Sequence, residues 1–311
     1  MRATGATGAT GAWAVLGLAG GAAIALAGCR LQEVTLAAPA DVVVAEVVLQ
    51  AGAAQQFGLL HRSVGGATLT VPGATMQLTL PGGGVVSFAA AAGSQCVDAS
   101  SAFSPDTVGS CYATAAFAAT VLPGGTYALS IRTADGRRLS GTTTVPGSFR
   151  LTRPPGLSQC ALAAFTLLPL AWTRSDGAWV YLSETRLTHV RRALDPATLD
   201  DRTLDVTGLS ISAEDTTIVF PSEFGLFDRA DSADAVVLRA LQRGLPTGVT
   251  ATVSVAAADR NYVQWVRRSG FNPSGAVQIP SLEGDGTGVL GSLVPLRFDL
   301  TSSTSTLPPC T

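Results

Sequence analysis

The chain has 311 residues with a formal net charge of −2, and 47% of its residues are hydrophobic while only 14% are charged. This composition excludes a highly charged disordered chain, and its 34 glycines and 17 prolines exclude a long-helix protein. All 20 basic residues are arginine, which excludes chemistry that depends on a lysine, such as a Walker motif or a Schiff base.

The first 29 residues predict an exported, lipid-anchored protein. Arg2 precedes an uncharged apolar run that ends in Leu-Ala-Gly-Cys, which is the order of a secretory signal. This ending resembles the lipobox of bacterial lipoproteins, which implies cleavage between Gly28 and Cys29 and a diacylglyceryl cysteine that is further acylated, for example with palmitate. Arg30 stands where inner-membrane lipoproteins commonly carry aspartate, so the resemblance implies the outer membrane. A plain secretion signal with an incidental cysteine is the alternative.

The other four cysteines predict disulfides, because an even number in an exported chain is typical of them. Four cysteines allow three pairings, and we favour Cys96–Cys111 and Cys160–Cys310 because each bond then stays within one half of the chain. A metal site is the alternative, although no Cys-x-x-Cys motif occurs and the two histidines are far from any cysteine. No cofactor is predicted.

Short strands separated by turns are predicted after the tether. The strands are alternating or β-branched runs, their boundaries carry Gly and Pro, and Asp135-Gly136 is typical of a hairpin. This spacing predicts an antiparallel sandwich of the immunoglobulin or transthyretin type. The predicted strands cover residues 41–50, 56–62, 67–71, 74–80, 85–90, 111–121, 126–133 and 137–145.

A second, mainly β domain is predicted after the Pro- and Gly-rich stretch near residue 150. Residues 167–173 and 178–183 flank Ser175-Asp176-Gly177, which favours another hairpin. Further along, we predict a helix over 235–244, a strand over 250–258, a short helix capped by Asp259 and a strand over 294–300.

The predicted organisation therefore has four parts. They are a signal peptide at 1–28, a lipidated tether at 29–39, an N-terminal β-sandwich at 40–148, and a C-terminal β-rich domain with one or two short helices at 157–311.

Motifs that could carry chemistry are weak. The Gly286–Gly291 segment fits the G-x-G-x-x-G dinucleotide pattern, but a strand follows it where a helix is required, so a glycine-rich loop is favoured. His61 and His189 lack the nucleophile elbow of a hydrolase triad and are interpreted as polar residues on a strand or loop.

Two side-chain clusters have a structural and a functional interpretation. The three-residue spacing of one group of aspartates favours a helix start over a calcium loop; they are Asp228, Asp231 and Asp234. Three aromatic residues could form a sugar-stacking platform, but a core position is favoured; they are Trp172, Trp179 and Tyr181.

Five stretches, in this order, resemble one family of Gram-negative surface lipoproteins catalogued as a domain of unknown function. They are 71–74 (VPGA), 123–129 (PGGTYAL), 134–136 (ADG), 144–146 (TVP) and 284–291 (GDGTGVLG). Members of that family tend to be encoded beside TonB-dependent outer-membrane receptors. The resemblance implies an immunoglobulin-like or transthyretin-like domain followed by a second β-rich domain, and it implies no catalytic residues.

The function expected from the sequence is a non-catalytic binding or accessory module at the outer membrane. Its expected partners are the membrane, through lipid on Cys29, and a TonB-dependent barrel or the ligand of that barrel. Nucleic acid is not expected, because the arginine doublets are scattered. The candidate partner-binding loop contains Ser94, Asp98, Phe103 and Asp106.

Two alternatives remain open. One is a membrane-tethered hydrolase such as a glycosidase, which requires a pair of facing carboxylates that the sequence does not single out. The other is a structural or adhesive protein of the envelope.

Overall fold

Strands dominate the described residues, and the helices found there are few and short. The computed structural model describes residues 41–63, 69–97, 108–156, 158–198, 201–224, 232–270, 279–303 and 306–310. The predicted mainly β class is confirmed. The strands are β1 (Val43–Gln50), β2 (Phe57–Arg62), β3 (Thr75–Thr79), β4 (Val85–Ala91), β5 (Ser110–Thr114), β6 (Thr126–Arg132), β7 (Arg138–Thr144), β8 (Leu151–Arg153), β9 (Gln159–Leu162), β10 (Leu168–Trp172), β11 (Val180–Thr188), β12 (Leu204–Leu209), β13 (Thr217–Phe220), β14 (Thr250–Ala258), β15 (Glu283–Gly284) and β16 (Gly286–Ser302). The helices are α1 (Val190–Leu194), α2 (Ser232–Leu241) and α3 (Arg260–Gly270).

The first seven strands have the order of an immunoglobulin-like sandwich. All seven belong to one large mixed sheet of 13 strands, in which they follow the order β1-β2-β5-β4-β3-β6-β7. Divided at the β3–β4 ladder, this order corresponds to the A-B-E-D and C-F-G sheets of a constant-type immunoglobulin domain. Period-two alternation in β1 directs every second residue into the core; the fully buried ones are Val43, Ala45, Val47 and Leu49.

A tyrosine fixes the corner before β6. The side chain of Tyr127 is 1% exposed, and its hydroxyl accepts a hydrogen bond from the Leu122 N–H at 2.7 Å and donates one to the Thr120 carbonyl at 3.3 Å. A tyrosine near the start of strand F that bonds back to the preceding backbone is typical of immunoglobulin-like sandwiches. These two bonds satisfy a backbone N–H and a backbone C=O at a turn, where no neighbouring strand provides a partner for them.

The second half of the chain extends the large sheet and also forms a separate sheet of three strands. The extension has the order β12-β11-β14-β16 and continues into β1, and the separate sheet has the order β13-β10-β8. The predicted hairpin around Ser175-Asp176-Gly177 is wrong, since β10 pairs with β8 and β13 while β11 pairs with β12 and β14. The Ser175 N–H donates to the Tyr181 hydroxyl at 2.7 Å, and the Ser175 hydroxyl donates to the Gly147 carbonyl at 2.6 Å. These bonds make the turn a corner between two sheets.

Strand β16 belongs to both halves of the chain. Residues Gly286–Leu293 pair in parallel with β1, and residues Leu293–Thr301 pair antiparallel with β14. Just before it, β15 pairs with β7, so this segment passes between the first and last strands of the sandwich. The chain from Ala40 to Thr311 forms one compact unit. The predicted boundaries at 148 and 157 stay a prediction.

The glycine-rich segment lies in a strand, so its predicted loop conformation is wrong. A Cβ atom on Gly286 would collide with the Val43 carbonyl oxygen, and one on Gly288 with the Ala45 carbonyl oxygen. Gly288 also has φ +144°, a conformation that residues with a side chain rarely adopt. The glycines therefore serve the close approach of β16 to β1 rather than phosphate binding.

We expect Gly288→Ala to destabilise the protein more than Gly82→Ala does. Both glycines have positive φ, but a Cβ at Gly82 meets nothing within 4 Å, so that variant carries only the backbone strain of roughly 1–2 kcal/mol. The collision with β1 adds about 2–4 kcal/mol for Gly288→Ala. Urea unfolding of both variants measures the difference, and equal losses would contradict the close strand approach.

Candidate functional site

Both disulfides are formed in the pairing favoured from the sequence. Cys96 bonds to Cys111, and Cys160 bonds to Cys310. The first bond holds the 3₁₀ turn Gly93–Gln95 against β5. Of the candidate loop, exposed Ser94 lies in this turn. Five further candidate residues lie outside the described residues; they are Gly28, Cys29, Asp98, Phe103 and Asp106.

A cavity of about 350 Å³ lies beside the first disulfide, on the outer face of the β1–β2 ladder. Because the even-numbered residues of β1 point away from the core, Glu46, Val48 and Gln50 face outward. The start of β2, the turn before it and the segment of Gln95 and Cys96 complete the lining. We call this cavity the Glu46 groove; the residues that matter below are Glu46, Gln50, Gln55, Phe57, Leu59 and Gln95.

Glu46 is held by groups from two other elements. Its Oε1 accepts a hydrogen bond from the Trp265 indole N–H of α3 at 3.2 Å. The same oxygen lies 4.0 Å from His61 Nε2 on β2, an ion-pair separation rather than a hydrogen bond. Interaction with His61 lowers the pKa of Glu46 despite partial burial, and interaction with Glu46 raises the pKa of His61, again against the effect of burial.

Glutamine amides supply the other polar groups of the groove. Gln56 is 1% exposed and fixes the turn after β1, because its amide accepts from the Gln50 N–H at 2.8 Å and donates to the Gln50 carbonyl at 3.0 Å. The Gln55 amide donates to the Thr114 carbonyl at 2.9 Å. Within the described ranges, the side-chain amides of Gln50 and Gln95 make no hydrogen bond. These two amides are therefore available to a ligand.

A second depression of about 550 Å³ lies on the outer face of the β12-β11-β14-β16 sheet. One row across it contains Glu184 and Arg297, and the next contains Arg186 and Asp205, which pair at 3.0 Å between Nε and Oδ1. Although Glu184 is exposed, desolvation by its surroundings and the charge of Asp205 raise its pKa. This depression holds carboxylates on neighbouring strands.

His189, Asp234 and Asp285 lie in different parts of the fold. His189 caps the start of α1 with φ 65°, and its Nδ1 lies 2.6 Å from Asp201 Oδ2. Asp285 accepts the Arg138 N–H at 3.0 Å and so ties β15 to β7. Asp228 and Asp231 lie outside the described residues, and Asp234 lies in α2.

The three aromatic candidates divide between core and surface. Trp172 and Tyr181 are buried and in contact, with ring centroids 5.2 Å apart, so their core position is confirmed. For Trp179 that interpretation is wrong: it is 46% exposed and lies under the Arg260 guanidinium, 5.4 Å from the ring centroid. Trp179 follows the corner and precedes the first buried residue of β11.

In the part of the chain that the structure describes, no group of three or more His, Cys, Asp or Glu side chains is placed to hold a metal ion. Over the same ranges, no helix has both the length and the apolar character to cross a membrane.

Comparison with known proteins finds similarity only among solved structures. No family model and no curated protein match the chain. Fibronectin(III)-like modules of Clostridium thermocellum CbhA align with a TM-score of 0.19 and 11% identity over 84% of this chain and 90% of theirs. A DUF4785 family protein of Legionella pneumophila aligns with a TM-score of 0.21 and 12% identity over 68% of this chain and 51% of its own. Salmonella α-2-macroglobulin aligns with a TM-score of 0.21 and 13% identity over 88% of this chain and 16% of its own.

We expect the Glu46–His61 pair to stabilise the fold most between pH 4.5 and 6.5. The contribution of a lowered carboxyl pKa is complete above its ordinary value of 4.5 and disappears as the pH falls through the folded pKa. The contribution of a raised histidine pKa is complete below its ordinary value of 6.5 and disappears as the pH rises through the folded pKa. For a partly exposed pair the gain is about 0.5–1 kcal/mol.

Glu46→Gln tests this, because the amide oxygen can still accept from Trp265. In an NMR titration of this variant the His61 pKa should fall towards 6.5. The difference in free energy of unfolding between the variant and the wild type should be largest between pH 4.5 and 6.5 and smaller outside that range. Glu214→Gln removes the same charge at an exposed surface pair and should leave His61 unchanged. A His61 titration that is identical in all three proteins would contradict the pairing.

Proposed function

We propose that the protein is a non-catalytic binding module anchored in the outer membrane by lipid on Cys29. The observation that carries the proposal is the pairing of four of the five cysteines in two disulfides within the folded body. Disulfides are typical of an oxidising, exported compartment. Cys29 is the cysteine left over, and it ends the lipobox-like segment.

The proposed anchor lies close in sequence to the folded body. Residues 29–39 span at most about 40 Å when fully extended. At the start of the body, Asp41 pairs with Arg62 at 2.6 Å and with Arg137 at 3.4 Å, and both arginines also pair with Asp135 at 3.3 Å. This network ties Asp41, the first described residue, to β2 and to the turn between β6 and β7.

A TonB-dependent barrel is the first partner to test. The support for it is the family resemblance, in which such receptors are encoded nearby. Confinement to the membrane plane raises the effective concentration of a module beside a barrel, so a weak contact suffices for association. Loops held by a rigid sandwich are suited to such contacts.

We expect Cys29→Ala to abolish lipid labelling and to release the protein from the outer-membrane fraction, since a single cysteine carries the acyl chains. Crosslinking in cells followed by mass spectrometry should recover one barrel with the wild type and lose it with the variant. Arg30→Asp is the matched control: it keeps the lipid, and we expect it to move the protein to the inner-membrane fraction. An unlabelled wild-type protein would contradict the anchor, and recovery of abundant envelope proteins alone would contradict the barrel partner.

A second candidate function, hydrolysis of glycosides, is favoured by the Glu184 depression. A carboxyl with a raised pKa and a second carboxyl on the neighbouring strand of the same sheet face is the arrangement of a general acid and its partner. Glu184 would act as the acid, and Asp205 as the nucleophile or base.

Under this alternative, Glu184→Gln should lower the turnover of aryl glycosides by about 10²–10⁴-fold, whereas Glu214→Gln should not. Failure of the wild-type protein to hydrolyse any of a panel of aryl glycosides would end the alternative.

A further inference from the structure

We propose that the Glu46 groove is a binding site for a neutral saccharide. This inference concerns the folded body and is independent of the lipid anchor and of the barrel partner. Nothing in the resemblance or in the similar structures assigns a ligand to this face.

The shape of the groove fits a small ligand. Its volume of about 350 Å³ lies at the lower end of the roughly 300–1,000 Å³ found for small-molecule sites, which corresponds to about one or two sugar rings. Half-buried Phe57 and Leu59 form part of the floor, and apolar side chains of this kind can cover the C–H face of a sugar ring. The floor therefore supplies the apolar half of a saccharide site.

The polar groups match hydroxyls. A glutamine amide both donates and accepts, and a carboxylate accepts two hydrogen bonds side by side. Sugar hydroxyls also donate and accept, and they occur in adjacent pairs. Gln50 and Gln95 bring amides without a partner among the described residues, and Glu46 brings a carboxylate held by Trp265. These groups line the same cavity as the apolar floor.

The charge of the groove disfavours other ligand classes. Of the described residues that line it, none is arginine, and Glu46 is the ionisable one. A phosphate or sulfate group would meet a carboxylate and no cation, which is unfavourable. A cation would share the charge of Glu46 with His61, which lies 4.0 Å from Oε1, whereas a hydroxyl needs only an acceptor such as Oε2. A neutral polar ligand is the class that remains.

The groove is also rigid, which lowers the entropic cost of binding. Cys96 lies in its wall and is bonded to Cys111 of β5. Buried Gln56 fixes the turn that carries Gln55. The wall and the floor are thus set before a ligand arrives.

The test uses the exported protein, purified in a sugar-free zwitterionic detergent. Isothermal titration with cellotetraose, maltotetraose, xylotetraose and chitotetraose should give at least one Kd between about 10 μM and 1 mM. Gln95→Ala and Glu46→Gln should each weaken that binding by about tenfold, the factor expected for the loss of one hydrogen bond or its charge assistance. Gln77→Ala is the matched control, because Gln77 is an exposed glutamine on β3, outside the groove.

Three results would overturn the proposal. The first is the absence of binding for all four sugars, and the second is sugar binding that both groove variants leave unchanged. The third is tighter binding of tetraglycine than of any sugar, together with weaker tetraglycine binding in the groove variants, which would make this a peptide site. Each variant is first checked by its unfolding curve, so a folding defect is distinguished from a binding defect. None of these results bears on the Cys29→Ala test.

Discussion

The insertion of β16 between the first and last strands of the sandwich is the constraint on which the rest of the structure depends. A strand edge presents unpaired N–H and C=O groups, and a sandwich that ends in two open edges is prone to pairing with other chains. Here β16 pairs with the edge of β1, and β15 pairs with the edge of β7. The approach is close enough that the Val43 and Ala45 carbonyls exclude a Cβ at Gly286 and Gly288.

Local signals in the sequence predicted most of the strands, whereas the partners of β16 left no local signal. Turn residues and alternation depend on neighbours in the chain, so the hairpin of β6 and β7 and the strands around it could be predicted. The pairing of β1 with β16 joins two segments that are more than 200 residues apart in the sequence. The glycines of 286–291 were visible, but glycine marks both loops and close backbone contacts, so the pattern alone favoured the wrong structure. The hairpin predicted at Ser175 was wrong for a related reason, because a hairpin turn and a corner between two sheets favour the same types of residue.

The groove shows the same division between what the sequence contains and what only the fold provides. Glu46 interrupts a run of valines in β1, and alternation alone places it on the outer face of the sheet. His61 was visible as a polar residue on a strand. Their proximity needed the register of β1 and β2, in which Val44 faces His61 and Glu46 faces Leu59. Trp265, from a helix near the other end of the chain, could not be assigned to the same site without the fold.

The groove and the closure of the sheet are linked through the start of α3. Buried Asp259 accepts hydrogen bonds from the Thr143 hydroxyl of β7 and from the Tyr262 N–H at 2.9 Å, and its own N–H donates to the Ser292 carbonyl of β16 at 3.1 Å. Burial raises the pKa of Asp259, so its carboxylate depends on these donors for solvation.

Asn261 adds a second bridge between the same two strands, because its amide donates at 3.0 Å to the carbonyl of Thr142 on β7 and to that of Leu290 on β16. Since α3 also carries Trp265, the helix that bridges β7 and β16 is the one that places the indole N–H on Glu46. A ligand that binds Glu46 in this geometry therefore stabilises the fold, because it binds the folded chain and not the unfolded one.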